Sequence, residues 1–245
     1  MIPKSGDRFS EKIMLHEEDG ERVVKSDTDG VYLAPAEYVD SDHPAIVRRA
    51  RDVPAGASAS EKARRYYLIA REIRYDPALD YSDPETYRAS SVLEAGFGYC
   101  VGKAALFAAL CRAGGIPARV AFGDVTNHLA SEKLREKMGT NYFAWHGFTE
   151  VKLGDRWVKA SPTFNASLCS RFGVAPLDFD GTHDALLQPY DGAGRTFMQY
   201  EVLHGAFHDV PAKFLMGEMA RCYPGLKHAE EASAGGMEYE APLRA

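Results

Sequence analysis

The sequence predicts a mixed fold of helices and antiparallel strands, and two stretches carry that prediction. Residues 101–113 are almost entirely apolar, which is typical of a helix buried on most of its sides. Residues 143–160 partly alternate between apolar and polar side chains on either side of a Gly154-Asp155 turn, which indicates a β-hairpin. A short strand is expected between the two stretches, at residues 120–122.

The chain before the buried helix is predicted to hold an extension and two helices. Residues 1–35 are charged and irregular, and we interpret them as an N-terminal extension. A helix is expected to start at His43-Pro44, because proline fits the first helical position. Ser58 and Glu61 have the spacing of a capping box, with Ser60 as an alternative cap, and an amphipathic helix of about 15 residues is expected to follow.

The chain after the short strand combines polar loops with a few regular elements. Residues 127–141 are strongly polar and are predicted to hold a surface helix, either a solvated face or a lid over a site. Another strand is expected at 197–203. We therefore predict a main domain at residues 36–210, followed by a C-terminal helix and tail at 211–245.

The composition of the chain argues against some classes of partner and indicates a location. The 245 residues carry a formal net charge of −6 with no basic stripe, so we expect no nucleic-acid partner. No stretch approaches the roughly 18 consecutive apolar residues of a membrane span, so we expect no membrane partner. The first residues lack an apolar signal segment, which favours a cytoplasmic location. The sequence leaves the oligomeric state open.

The four cysteines predict no disulfide framework and no zinc site. Cys100, Cys111, Cys169 and Cys222 are widely spaced, without a Cys-x-x-Cys pair or a close Cys/His cluster, so we expect no metal and no cofactor. Cys111 is expected to be buried and inert, and Cys169 to lie in an exposed loop. His204 and His208, four residues apart, would share a face only on a helix, whereas a strand is predicted just before them.

Cys100 and His146 are the candidate reactive pair. Cys100 follows a glycine-rich turn at the start of the buried helix, where the helix dipole favours a thiolate; the alternative is a small apolar core cysteine. His146 lies on the first strand of the predicted hairpin, where it could act as the base for a cysteine nucleophile. Counting back from the turn places Ser161 beside His146 on the return strand.

Together, these motifs resemble the transglutaminase-like superfamily of papain-like cysteine enzymes. The resemblance covers about residues 60–165. It is carried by the order and spacing of four motifs, namely Gly98-Tyr99-Cys100, Arg112-Ala113-Gly114-Gly115-Ile116-Pro117-Ala118-Arg119, Trp145-His146 and Trp157-Val158-Lys159-Ala160-Ser161-Pro162-Thr163.

The resemblance implies an α+β fold in which the cysteine helix packs against an antiparallel sheet. It also implies thiol chemistry on amide bonds through a thioester acyl-enzyme, as in a peptidase, amidase or acyl transferase. A peptide or protein amide would be the substrate, Cys100 the nucleophile and His146 the base.

The chain departs from the family at the third catalytic position. Family members usually have Asp where this chain has Ser161, and a serine hydroxyl carries no negative charge to stabilise an imidazolium. Asn165 is a second candidate to orient His146, and Asp178 or Asp180 could reach it from the following loop. The alternative to an enzyme is therefore a catalytically weak or inactive transglutaminase-like protein that serves as a binding or scaffold module.

Overall fold

The structure, a computed structural model, describes residues 28–128, 135, 136, 138–188, 193, 194 and 197–224. Most of the predicted surface helix within residues 127–141, and the tail from residue 225 onward, lie outside these residues. The mixed α+β fold is confirmed. The α-helices are α1 (Thr28–Val31), α2 (Pro44–Ala50), α3 (Ala59–Glu72), α4 (Ala89–Ala95), α5 (Cys100–Ala113), α6 (Ala166–Phe172) and α7 (Ala212–Cys222), with a 3-10 helix at Pro84–Tyr87.

The strands form one antiparallel sheet and one small parallel pair. The parallel pair joins β1 (Arg74–Tyr75) to β2 (Phe97–Gly98). The sheet has the order β5-β4-β3-β6 and contains β3 (Ala118–Asn127), β4 (Tyr142–Leu153), β5 (Arg156–Ala160) and β6 (Met198–Phe207). The predicted hairpin is β4 and β5, and Lys152 pairs with Trp157 beside its turn.

Helix α5 occupies the centre of the larger core. All but the last of its residues are buried, and it packs against α2, α3, α4 and the β3–β4 face of the sheet. A helix enclosed in this way needs an apolar surface all round, which is why its sequence lacks the one-sided pattern of a surface helix. The predicted capping box starts α3, where the Ser58 hydroxyl accepts from the Glu61 amide and the Glu61 carboxylate accepts from the Ser58 amide.

A buried arginine joins three separate segments of the chain at this core. Arg112, buried near the end of α5, donates hydrogen bonds to the carbonyl oxygens of Ala34, Ala118 and His208.

None of the helices within the described residues is both long enough and apolar enough for a membrane crossing. The domain boundaries stay predictions.

Candidate active site

Cys100 is the first residue of α5, as predicted, and its side chain lines a pocket. The residue is 9% exposed, and Tyr99 precedes it as the cap without a side-chain hydrogen bond to the helix. The first backbone amides of a helix have no partners inside the helix, so they point toward whatever lies at its start. The Cys100 thiol therefore stands where unpaired amides and the helix dipole favour negative charge.

A glycine brings the histidine strand against this helix end. A Cβ atom added to Gly147 would lie 2.8 Å from Val101 Cα, so the close approach of β4 to α5 requires a residue without a side chain. The backbone amide of Gly147 interacts with the Cys100 thiol and opposes the effect of burial on its pKa. The residue before Gly147 is His146, which lines the same pocket as Cys100.

Burial of Cys100 has a larger effect on the pKa of its thiol than the N-terminus of α5 does. Desolvation raises the pKa of Cys100 to about 11, although the Gly147 amide, the first amides of α5 and the Lys103 ammonium all lower it. A thiol with this pKa is protonated at neutral pH. The helix dipole favours the thiolate, but its effect is smaller than that of burial because it acts here on a group withdrawn from water.

His146 contacts the serine predicted to lie beside it. Its Nε2 is 3.3 Å from the Ser161 hydroxyl, and that hydroxyl is 2.8 Å from the hydroxyl of Thr163. All three residues are buried. With Nε2–H donating to Ser161, the other ring nitrogen, Nδ1, is left as the acceptor for a thiol proton.

The other predicted orienters lie away from His146. The Asn165 amide oxygen accepts from the Tyr75 backbone amide at 3.1 Å, and its nitrogen donates to Ser167 at 2.7 Å. Asp178 is exposed near Arg64, and Asp180 is exposed and bonded to His183. Among the described residues, the hydrogen-bond partner of the His146 ring is therefore a hydroxyl group rather than one of these carboxylates or the amide.

Burial also decides the charge of the histidine. Desolvation lowers the pKa of His146 to about 4, so the ring is neutral at pH 7. Together with the raised pKa of Cys100, this favours a neutral thiol–imidazole pair in the substrate-free site. A negatively charged neighbour would be needed to favour the imidazolium form.

A strained residue next to His146 was missed at the sequence level. Trp145 has a φ of +58°, and the register shows one extra residue in β4 opposite Asp124. Bulges of this kind bend a strand and redirect side chains. The bulge therefore lies directly before His146 in the chain.

Asp124 stabilises the bulge from the neighbouring strand. Its carboxylate accepts from the Trp145 amide at 2.9 Å, from the Tyr142 hydroxyl at 2.6 Å and from His204 Nε2 at 2.7 Å. The His204 ring stacks on the Trp145 indole with 4.0 Å between ring centroids. Sequence reasoning ended β3 at residue 122, whereas the strand continues through Asp124 to Asn127.

The pocket that Cys100 and His146 share is mainly aromatic. The space it encloses, together with the part that is open to solvent, is about 510 Å³. Its other lining residues are Tyr75, Pro77, Tyr81, Tyr99, Met138, Phe143, Ala144, Trp145, Met219 and Tyr223. Within the part of the chain that the structure describes, the lining contains no carboxylate, ammonium or guanidinium group.

The remaining cysteines are poor candidates for the same chemistry. Cys111 is fully buried in α5, as predicted, and burial raises its pKa well above the usual value. The prediction for Cys169 is wrong, because it is fully buried in α6 rather than exposed in a loop. Cys222, at the end of α7, is the partly exposed one. Across the described ranges, no three His, Cys, Asp or Glu side chains cluster as metal ligands would.

The buried histidine predicts an acid-sensitive fold. An unfolded histidine has a pKa near 6.5, whereas burial lowers the pKa of His146 to about 4. The unfolded state then binds more protons between these values, so the free energy of unfolding should fall by about 3 kcal/mol as the pH drops from 6.5 to 4. Urea unfolding measured across this range should show that loss.

Two variants test whether His146 causes this pH dependence of the stability. His146→Gln should remove most of the loss between pH 6.5 and 4.5, above the range in which ordinary carboxylates titrate. His208→Gln is the matched control, because burial lowers the pKa of His208 too, but less strongly. An unchanged pH dependence in His146→Gln would contradict the assignment of this effect to His146.

A cysteine at the start of a buried helix and a histidine on the antiparallel sheet beside it define a papain-like cysteine-enzyme architecture. The sequence model of the transglutaminase-like superfamily matches residues 47–162, and this segment belongs to that superfamily, as the motifs predicted. No curated protein matches the chain significantly. One similar solved structure is that of a protein named a "Putative Cysteine Protease" from Cytophaga hutchinsonii. The two proteins share 19% sequence identity with a TM-score of 0.43, over 75% of this chain and 57% of that chain.

Proposed function

We propose that the protein is a cysteine-dependent enzyme that acts on amide bonds through a thioester acyl-enzyme. The supporting observation is that Cys100 and His146 line one pocket, while the Ser161 hydroxyl contacts Nε2 of the histidine. This arrangement leaves Nδ1 of His146 to take the thiol proton. The roles proposed are nucleophile for Cys100, general base and acid for His146, and orienting group for Ser161.

The chemistry begins with transfer of the Cys100 proton to Nδ1 of His146. The thiolate then attacks the amide carbonyl, and the free backbone amides at the start of α5 stabilise the oxyanion. His146 returns the proton to the nitrogen of the leaving amine, and the C–N bond breaks to leave a thioester on Cys100. Water or a second amine then attacks the thioester, which gives hydrolysis or acyl transfer, respectively.

The pocket supports an uncharged, apolar side chain on the acyl part of the substrate. Its lining is mainly aromatic, and the hydroxyl groups of two of its tyrosines donate to backbone carbonyls. Tyr81 donates to the Pro77 carbonyl at 2.6 Å and Tyr223 to the Tyr142 carbonyl at 3.1 Å. These tyrosines therefore offer ring surface to a ligand, and burying a charged group against them would carry a desolvation cost.

Peptide vinyl sulfones test this proposal directly. A probe with a phenylalanine side chain should form one adduct, located at Cys100 by peptide mapping, whereas a glutamate probe should react more slowly. Cys100→Ala should abolish the adduct, and His146→Ala should slow it by about 10²-fold or more.

Cys222→Ser is the matched control, because Cys222 is the partly exposed cysteine. It should leave the adduct unchanged. Modification of Cys222 alone would overturn the assignment of Cys100 as the nucleophile.

A second candidate function is a binding or scaffold module on the same fold. It is favoured by the neutral third position at Ser161 and by the neutral thiol–imidazole pair. Such a module would bind apolar peptides in calorimetry without forming an adduct. Its affinity would be the same in Cys100→Ala, whereas the enzyme would lose its covalent reaction in this variant.

A further inference from the structure

Lys103 is a buried ammonium group next to the candidate nucleophile. It lies in α5 one helical turn after Cys100 and has no exposed surface. Its Nζ donates to three backbone carbonyls, those of Arg71 at 2.9 Å, of Thr163 at 2.7 Å and of Ile73. Lysine is almost never fully buried unless it is paired, so its position in an apolar helix requires an explanation.

The three acceptor carbonyls account for part of the stabilisation of the buried Lys103 ammonium group. Arg71 lies in the last turn of α3, where helix carbonyls lack partners and the helix dipole is negative. All three bonds nevertheless end on neutral carbonyl oxygens rather than on a carboxylate. The positive charge is therefore hydrogen-bonded but not neutralised by these partners.

The Lys103 side chain extends toward the start of α5, so its charged end lies near that end of the helix. Helical side chains lean toward the N-terminus of their helix. Lys103 Cγ lies 3.6 Å from the position a Cβ atom would take on Gly98, two residues before Cys100. The ammonium group is therefore placed at the same end of α5 as the thiol.

The other side of the ammonium group contacts the loop that orients His146. The Thr163 carbonyl accepts from Lys103, and the Thr163 hydroxyl bonds the hydroxyl of Ser161. Ser161 in turn contacts His146. Lys103 thus connects the nucleophile helix to the hydroxyl pair behind the histidine.

We propose that Lys103 is a positioning residue that favours the Cys100 thiolate and holds the Ser161–Thr163 loop against His146. In this site a buried cation beside the nucleophile partly offsets the absence of a carboxylate beside the base. The inference rests on the proposed role of Cys100 as nucleophile, but it concerns ionisation of the thiol and is testable without a substrate.

The charged and titratable groups around Lys103 fit this role. Burial lowers the pKa of Lys103 to about 7, whereas Glu72, Cys169 and Cys100 raise it and Arg71 lowers it. Glu72 is half exposed and bonded to Arg71, and Cys169 is a buried thiol with a raised pKa. Formation of the Cys100 thiolate would place a negative charge near the ammonium group and stabilise the charged form of both.

The test is the pH profile of Cys100 alkylation by iodoacetamide, followed by peptide mapping. Lys103→Met and Lys103→Gln should move the apparent pKa of Cys100 upward and slow alkylation by about tenfold at pH 6, where Lys103, with its pKa of about 7, is mostly charged. The limiting rate at high pH should change little, because the thiolate itself remains accessible.

Arg112→Gln is the matched control for lost structure. Arg112 is buried in the same helix and donates to three backbone carbonyls, but it lies twelve residues from Cys100. This variant should lower the melting temperature without moving the alkylation profile. A folded Lys103→Met protein with the wild-type profile would overturn the proposal.

A second measurement covers the case in which neither lysine variant folds. By linkage, the thiolate and the ammonium group must affect each other equally. Because the Cys100 thiol stays protonated where Lys103 titrates, Cys100→Asp is used to supply the negative charge. The pKa of Lys103, followed by carbon NMR of its ε-methylene, should be higher in Cys100→Asp than in Cys100→Ser. Equal values would overturn the proposal. A shifted alkylation profile without any vinyl sulfone adduct would support this inference while contradicting the proposed enzyme function.

Discussion

Ser161→Asp should increase the alkylation rate of Cys100 at pH 7 by about 100-fold. The serine hydroxyl lies 3.3 Å from His146 Nε2, so a carboxylate at this position would accept a charged hydrogen bond from the ring. A carboxylate at this distance favours the imidazolium by about 1–3 pKa units. The protonated histidine then stabilises the Cys100 thiolate, which is the reactive form.

The size of the effect follows from how strongly burial opposes charge in this site. Desolvation lowers the pKa of His146 to about 4 and raises that of Cys100 to about 11, so the ion pair is a minor form in the protein as it stands. A shift of two units toward the ion pair corresponds to about 100-fold more thiolate. The Thr163 hydroxyl, 2.8 Å from that of Ser161, can donate a second hydrogen bond to the new carboxylate.

Three variants assign the effect to charge at this position. Ser161→Asn changes shape almost as Asp does but stays neutral, so it should leave the alkylation rate near that of the wild type. Asn165→Ala should not alter the pH profile, because its amide contacts Tyr75 and Ser167 rather than His146. Equal rates for Ser161→Asp and Ser161→Asn would contradict the prediction and indicate that the charge is screened or misplaced.

The sequence was sufficient for the elements that depend on local patterns. The boundaries of α5 follow from an apolar run between glycines, and the β4–β5 hairpin follows from alternation around one turn. Counting back from that turn placed Ser161 beside His146, and the structure confirms this contact. Such predictions succeed because hairpin register is set by the turn itself.

The bulge before His146 could not be predicted in the same way. The positive φ of Trp145 depends on Asp124, which lies 21 residues away in sequence and on another strand. His204 reaches the same carboxylate from β6. Only the folded sheet brings these groups together, and no short-range pattern records the contact.

The ionisation of the site also depends on the fold. A cysteine at a helix start favours a thiolate, but the final pKa depends on how much water the surrounding chain removes. Lys103 did leave a signal, since it is a charged residue within an otherwise apolar run. Its partners on α3 and after β5 become visible only when those segments are packed together.

Gly147→Ala should destabilise the protein and disrupt the candidate site together. The new Cβ atom would lie 2.8 Å from Val101 Cα and 3.2 Å from its nitrogen, so either β4 or the start of α5 must move. Overpacking of this kind costs about 1–3 kcal/mol, and contact with backbone atoms places the expected cost near the upper end of that range. The movement would also separate the Gly147 amide from the Cys100 thiol.

Urea unfolding and the vinyl sulfone reaction measure the two consequences of Gly147→Ala separately. The midpoint of unfolding should fall, and the adduct at Cys100 should form at least about tenfold more slowly, even where the variant remains folded. Gly217→Ala in α7 is the matched control, because a Cβ atom there meets no atom within 4 Å. It should stabilise the helix by about 0.5–1 kcal/mol and leave the adduct rate unchanged. Wild-type stability and reactivity in Gly147→Ala would contradict the close packing of β4 on α5 that brings the base to the nucleophile.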